Sequence, residues 1–287
     1  MILERETTIA VPGGKVWCLE MGEGDGLPLL VLHGGPGSTH NSYYEPLTQL
    51  AHKHRIILYD QLGCGHSERP DDPSLWTLAR FVEEVEAVRA HFGLKQFALL
   101  GHSWGGALAM DYMMTYGTAV ARLILMGPLL STALWLADAQ RLKNGLPSDV
   151  VELMNQHEQA GTTDSADYNY AVNMFYEHHV CRVKEVPERV RNGRKLFGRA
   201  VYNYMWGDNE FTCTGTLATY NRVADLPQIK VPTLFLCGQY DEATPETVQS
   251  YQQLVKGSQM HVFANCSHAP QLEDPQTFVT VLSQFLG

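Results

Sequence analysis

The sequence predicts an α/β fold: a mostly parallel eight-stranded sheet with helices on both faces and an inserted helical cap. Three observations carry this. Short apolar runs of strand type alternate with helical stretches through the first 130 residues, as they do where crossover helices join parallel strands. The alternation stops between residues 131 and 228, where the chain is polar and aromatic-rich and its apolar spacing is helical. It resumes at Pro232 with two further strand and helix pairs. The expected organisation is a core in two parts, 1–130 and 229–287, with the cap at 131–228 between them. A chain of 287 residues, 45% hydrophobic and 18% charged, can bury the core this requires.

Thr7–Val11 and Lys15–Met21 flank the turn Pro12-Gly13-Gly14 and read as an antiparallel hairpin. Pro28–Leu32 is a strand of buried type that runs into His33-Gly34-Gly35-Pro36-Gly37. Ser42–Ala51 is a candidate helix, and Arg55–Tyr59 is a strand ending in the tight loop Asp60–Ser67. Leu75–Phe92 places Leu75, Leu78, Phe81, Val82, Val85 and Val88 on one face and stops at Gly93, which marks an amphipathic helix. Phe97–Leu100 and Leu123–Met126 are buried strands on either side of a small-residue helix beginning near Gly105. Inside the insertion, helical spacing marks Val150–Gln159, Tyr168–His179 and Val186–Leu196. Thr233–Cys237 and Gln259–Phe263 complete the strands, with helices from about Glu246 and over Gln276–Phe285.

Composition narrows the function. A net charge of -10 argues against nucleic acid, since binding phosphates needs a basic face. The longest apolar runs fall well short of the roughly 20 residues that span a bilayer, and the start of the chain lacks the basic and apolar regions of a signal peptide. The six cysteines include no Cys-x-x-Cys pair and fit reduced thiols, so a cytoplasmic protein is expected. The adjacent His178 and His179 lack the i, i+4 spacing of a helical metal site, and no metal or organic cofactor is called for.

The chemistry centres on Phe97–Met110, where a strand ends at Gly101, Ser103 follows, and a helix starts at Gly105 and Gly106. This is the strand, turn and helix context of a Gly-x-Ser-x-Gly nucleophile elbow. A serine hydroxyl needs a base, and the base needs a group that fixes its tautomer. After the insertion two positions meet that need at strand ends, Asp241 and His268, in the chain order Ser103, Asp241, His268 of an α/β-hydrolase triad. The amides of Gly35 and of Trp104 are the expected oxyanion donors, Pro36 having no N–H to offer. His33 and His102 flank the glycine motifs and are read as supports of loop geometry.

These motifs, together with Asp60-Gln61, Gly63-Cys64-Gly65 and Ser67, Gly238 with Asp241–Pro245, and Ser267-His268, resemble the proline iminopeptidase and L-amino acid amidase branch of the α/β-hydrolases. The resemblance runs over nearly the whole chain. The elbow is common to many hydrolases, whereas His-Gly-Gly-Pro-Gly combined with Asp-Gln-x-Gly-Cys-Gly is much more specific to this branch. Trp206–Phe211 resembles the branch's lid segment, which implies that Glu210 helps to hold the substrate's free amino group. Glu210 and Glu242 would set two carboxylates at one pocket, a costly arrangement unless a cation such as an α-ammonium enters it. The expected activity is release of an N-terminal residue, proline or another small or apolar one, from short peptides, or hydrolysis of L-amino acid amides. The alternative is an esterase or lactonase for small uncharged acyl groups; a non-catalytic receptor on the same fold would not need the triad. The partner is then a small substrate, with neither nucleic acid nor membrane involved.

Overall fold

The computed structural model describes residues 2–287. The chain runs β1 (Glu4–Val11), β2 (Gly14–Met21), β3 (Gly26–Leu32), α1 (Asn41–Thr48), β4 (His54–Tyr59), α2 (Leu78–His91), β5 (Phe97–His102), α3 (Trp104–Tyr116) and β6 (Val120–Met126). Five helices follow before the next strand: α4 (Thr132–Lys143), α5 (Ser148–Ala160), α6 (Ala166–His179), α7 (Glu188–Arg194) and α8 (Arg199–Met205). The chain then returns to the sheet as β7 (Thr233–Gly238), α9 (Pro245–Leu254), β8 (Gln259–Phe263), α10 (Pro270–Glu273) and α11 (Pro275–Leu286).

All eight strands form one sheet in the order β1-β2-β4-β3-β5-β6-β7-β8. β2 is antiparallel to β1 and β4, and every pairing from β4 to β8 is parallel. The apolar runs follow from burial on both faces. In β3, Leu30 and Leu32 enter one core while Leu29 and Val31 enter the other; Leu123 and Leu125 alternate in the same way with Ile124 and Met126 in β6. After β3 the chain crosses to β4 on one side, and β5 then lies on β3's other side. The carboxyl ends of β3 and β5 therefore flank a topological switch point, where such sheets place their crevice.

The α5–α6 pair closes on its own apolar cluster, including Val150, Met154, Tyr168 and Phe175. Several contacts fasten the inserted segment to the core, among them those to the loops after β7 and β8. Asp138 of α4 accepts from Thr244 and Thr247 at 2.8 and 2.5 Å. The carbonyl of His179, at the end of α6, accepts from the amides of Glu242 at 3.3 Å and His268 at 3.1 Å.

Helices α4 and α8 are absent from the sequence reading. The reason for α4 is that its buried face includes the polar residues Thr132, Asp138 and Lys143. Tertiary partners satisfy them: Lys143 reaches Glu158 at 2.7 Å and Thr132 reaches the Leu217 carbonyl at 2.7 Å. Helix α8 has only seven residues, too few to establish a period. Helix α2 begins at Leu78 rather than Leu75 because the Thr77 side chain caps it, accepting from the Arg80 amide at 3.3 Å.

Candidate active site

Ser103 stands between β5 and α3 with φ +57° and ψ −122°. A positive φ at a non-glycine residue costs on the order of 1–3 kcal/mol and persists only where the surroundings enforce it. Here they do. The Ser103 amide donates to the Met126 carbonyl at 3.0 Å, and its own carbonyl accepts from Gly106 at 2.8 Å and Leu129 at 3.1 Å. The elbow's glycines are needed for close approach: a Cβ on Gly101 would lie 2.2 Å from the Gly105 carbonyl, and one on Gly105 would lie 2.1 Å from the Leu32 carbonyl.

Gly34 packs against the serine, since a Cβ there would sit 3.1 Å from Ser103 Cβ. Gly35 follows at φ +116°, a conformation open to glycine. Among the described residues, neither the Gly35 amide nor the Trp104 amide donates to another backbone group. The Trp104 amide opens the N-terminus of α3, where amides have no intrahelical acceptor. A relay ties the two segments together. Trp104 Nε1 donates to Gln61 Oε1 at 2.8 Å, and Gln61 Nε2 donates to the His33 carbonyl at 3.0 Å. The Gln61 amide also donates to His33 Nε2 at 3.0 Å, which leaves the ring proton on Nδ1, 2.9 Å from the Gly34 carbonyl. Burial holds the His33 pKa below its ordinary value, consistent with a neutral structural imidazole.

Asp241 and His268 meet from the loops after β7 and β8. His268 Nδ1 donates to Asp241 Oδ1 at 2.7 Å. The same carboxylate accepts from the Ala243 amide at 2.8 Å and the Gly238 amide at 3.1 Å. Thr244, not Asp241, caps α9. The His268 loop is held by Glu273, which accepts from the Ser267 hydroxyl and amide at 2.6 and 2.7 Å. His102 donates from Nε2 to the His268 carbonyl at 2.8 Å and accepts from the Tyr43 hydroxyl at 2.5 Å. Burial drives the His102 pKa well below its usual value, so this second histidine is neutral.

Ser103, His268, Gly35, Glu210 and Glu242 all line one cavity of about 730 Å³. No hydrogen bond joins Ser103 Oγ to His268 among the described residues; instead His268 Nε2 lies 3.6 Å from Glu242 Oε1. Glu242 is 4% exposed, and its Oε2 has no hydrogen-bond partner among the described residues. Burial, then Glu210 and Asp241, push the Glu242 pKa well above the carboxylate range despite the opposing effect of His268. Glu210 accepts a short hydrogen bond from the Tyr202 hydroxyl, and burial raises its pKa as well. For His268 burial acts to lower the pKa, but Asp241, Glu242 and Glu210 together outweigh it and raise the value to about 9.

Two contributors escaped the sequence reading. Tyr202 positions Glu210, and Trp135 lies edge-on to His268 with ring centroids 5.6 Å apart. They come from α8 and α4, the helices whose periodicity is weak, so no pattern in the sequence marks them.

The chain matches the α/β-hydrolase fold family over residues 28–275. It is 42% identical over 284 residues to the proline iminopeptidase of Heyndrickxia coagulans, covering 98% of each chain. It is 37% identical over 267 residues to that of Saccharolobus solfataricus, covering 92% of this chain and 86% of the relative. Among solved structures, the proline iminopeptidase of Mycobacterium smegmatis superposes with a TM-score of 0.91 at 33% identity, covering 98% of this chain and 97% of that one. No helix among the described residues is long and apolar enough to cross a membrane. The chain belongs to the α/β-hydrolase family and, within it, to the proline iminopeptidase branch, a group of hydrolytic aminopeptidases.

Proposed function

We propose that this enzyme removes an N-terminal residue, proline or another small or apolar one, from short peptides or amino acid amides through an acyl-enzyme on Ser103. The observation that carries this reading is the buried, unpartnered Glu242 carboxylate oxygen in the cavity that also holds Glu210, Ser103 and His268. Two neighbouring carboxylates out of water repel, and a cation between them removes the cost. A substrate α-ammonium is such a cation, and pinning it presents the adjacent carbonyl to Ser103. An uncharged ester or lactone would leave Glu242 uncompensated. The segment 131–228 then acts as a lid that supplies Glu210, and the free cysteines fit a cytoplasmic enzyme.

In this mechanism Ser103 Oγ attacks the amide carbonyl carbon while His268 Nε2 takes its proton. Asp241 fixes the Nδ1–H tautomer and stabilises the imidazolium. The Gly35 and Trp104 amides hold the oxyanion; losing one such donor costs on the order of 2.7–4 kcal/mol. As the C–N bond breaks, His268 protonates the departing amine. Water, deprotonated by His268, then attacks the acyl carbon and releases the N-terminal residue with Ser103 reprotonated.

The test is a set of anilides: free prolyl, free alanyl, both N-acetylated, and a simple ester. Free amines are expected to exceed acetylated forms in kcat/KM by at least about a hundredfold, the scale set by leaving a buried charged group without its hydrogen-bond partner. Equal turnover would overturn the proposal.

A pH dependence follows. The base is neutral imidazole, so activity rises as pH climbs through the His268 pKa. In the free enzyme the carboxylates hold that value at about 9. Substitution of Glu242 by glutamine removes one of them, so the acid limb of kcat/KM should move to lower pH. Comparing both enzymes on the same free-amine anilide cancels the substrate's own titration; an unmoved or alkaline-shifted limb would contradict the arrangement.

A further inference from the structure

The cavity does not end at the glutamates. Lys184 and Arg194 line it and also line an adjoining groove of about 610 Å³. Arg191 completes the groove's cations, and Glu185 is its one acidic lining residue. This local excess of positive charge occurs in a chain with 31 acidic and 21 basic residues. Among the described residues, none of the three cations forms an ion pair. The remaining lining cation, Arg199, belongs to the acidic part of the cavity: it lies 5.1 Å from the Phe197 ring and 5.9 Å from that of Tyr202, the partner of Glu210, and its charge acts on Glu210.

The two signs come from different elements. Glu242 follows β7 and Glu210 follows α8, whereas Lys184 lies between α6 and α7 and Arg194 ends α7. Helix α7 packs on the segment leading from Gly35 into α1: a Cβ on Gly193 would lie 2.5 Å from Asn41 Nδ2. The helix that carries Arg194 therefore borders the loop whose Gly34, Gly35 and Asn41 line the cavity. A substrate whose ammonium is held by the glutamates and whose carbonyl meets Ser103 has the rest of the same cavity, whose lining includes Lys184 and Arg194, for its C-terminal portion.

We infer that Lys184 and Arg194 form a carboxylate-binding subsite for the leaving portion of the substrate, selecting short peptides with a free C-terminus. This rests on the reading of the acidic end given above and extends it to the opposite end of the substrate. The exposed guanidinium and ammonium groups act through charge, so their effect is modest and screened by salt.

The experiment compares kcat/KM for prolyl-alanine and prolyl-alanine amide at low ionic strength. The free acid is expected to be favoured about fivefold, an advantage that shrinks in about 0.5 M salt. In the double variant Lys184→Gln/Arg194→Gln the acid-to-amide ratio should fall to about one, and Lys184→Arg/Arg194→Lys should restore it. Both side chains are exposed, and thermal unfolding of each variant checks that folding is retained. A wild-type ratio of one, or a ratio unaffected by the double variant, overturns the subsite. If prolyl anilide is hydrolysed while acid and amide are equivalent, this inference fails and the aminopeptidase reading stands; if no free-amine substrate is hydrolysed, both fail.

Discussion

Substitution of Ser103 by alanine is expected to lower kcat on the best free-amine anilide by a factor on the order of 10⁶, the scale seen when a serine nucleophile is removed from a triad. Residual hydrolysis would come from the oxyanion donors and from binding alone. Folding should survive, because the contacts that hold residue 103 are made by its backbone: the amide to Met126 and the carbonyl to Gly106 and Leu129. The positive φ of +57° is retained by alanine at the same cost. Steady-state kinetics and thermal unfolding together make the test. Activity above a thousandth of wild type in a pure, folded variant would remove Ser103 from the role of nucleophile.

Asp241→Asn is expected to lower kcat by about 10⁴, with KM changed far less, because in the proposed mechanism the carboxylate holds His268 with its proton on Nδ1. The local bonding makes this substitution unusually damaging. Asp241 Oδ1 accepts from His268 Nδ1 and the Ala243 amide, while Oδ2 accepts from the Gly238 amide. Asparagine offers one acceptor oxygen for these three donors. If that oxygen stays with His268 and Ala243, the new NH₂ group faces the Gly238 N–H, a mismatch costing about 1–3 kcal/mol. If it turns to Gly238, His268 takes the wrong tautomer. Activity and thermal stability should therefore both fall. A loss of less than about tenfold in kcat would show that His268 is oriented by other means, such as its carbonyl bond to His102.

The positions of the predicted triad residues were legible because each follows a strand, and the strands before Ser103 and Asp241 are legible because burial on both faces makes them continuous apolar runs; β8, at the sheet edge, is only partly buried. Phe97–His102, Thr233–Gly238 and Gln259–Phe263 lead respectively to Ser103, Asp241 and His268. The two glutamates were legible only as residue types in suggestive places. The bond from Tyr202 to Glu210, and the carbonyl of His179 joining the Glu242 and His268 loops, had no sequence signature. Tyr202 lies on a helix too short to show a period, and a backbone carbonyl such as that of His179 carries no residue-type signal.

By itself the sequence determined the fold class, the succession of strands along the chain and the residues that follow them, since these follow from local periodicity and from glycines where a Cβ cannot fit. Only the tertiary structure decided the electrostatics of the site. It set Glu242 Oε1 3.6 Å from His268 Nε2, left Oε2 buried without a hydrogen-bond partner among the described residues, and raised the His268 pKa to about 9. The same packing brought Lys184 and Arg194 into the lining of that cavity. Desolvation and charge separation are properties of the assembled chain, fixed by which distant segments exclude water together, and no local pattern encodes them.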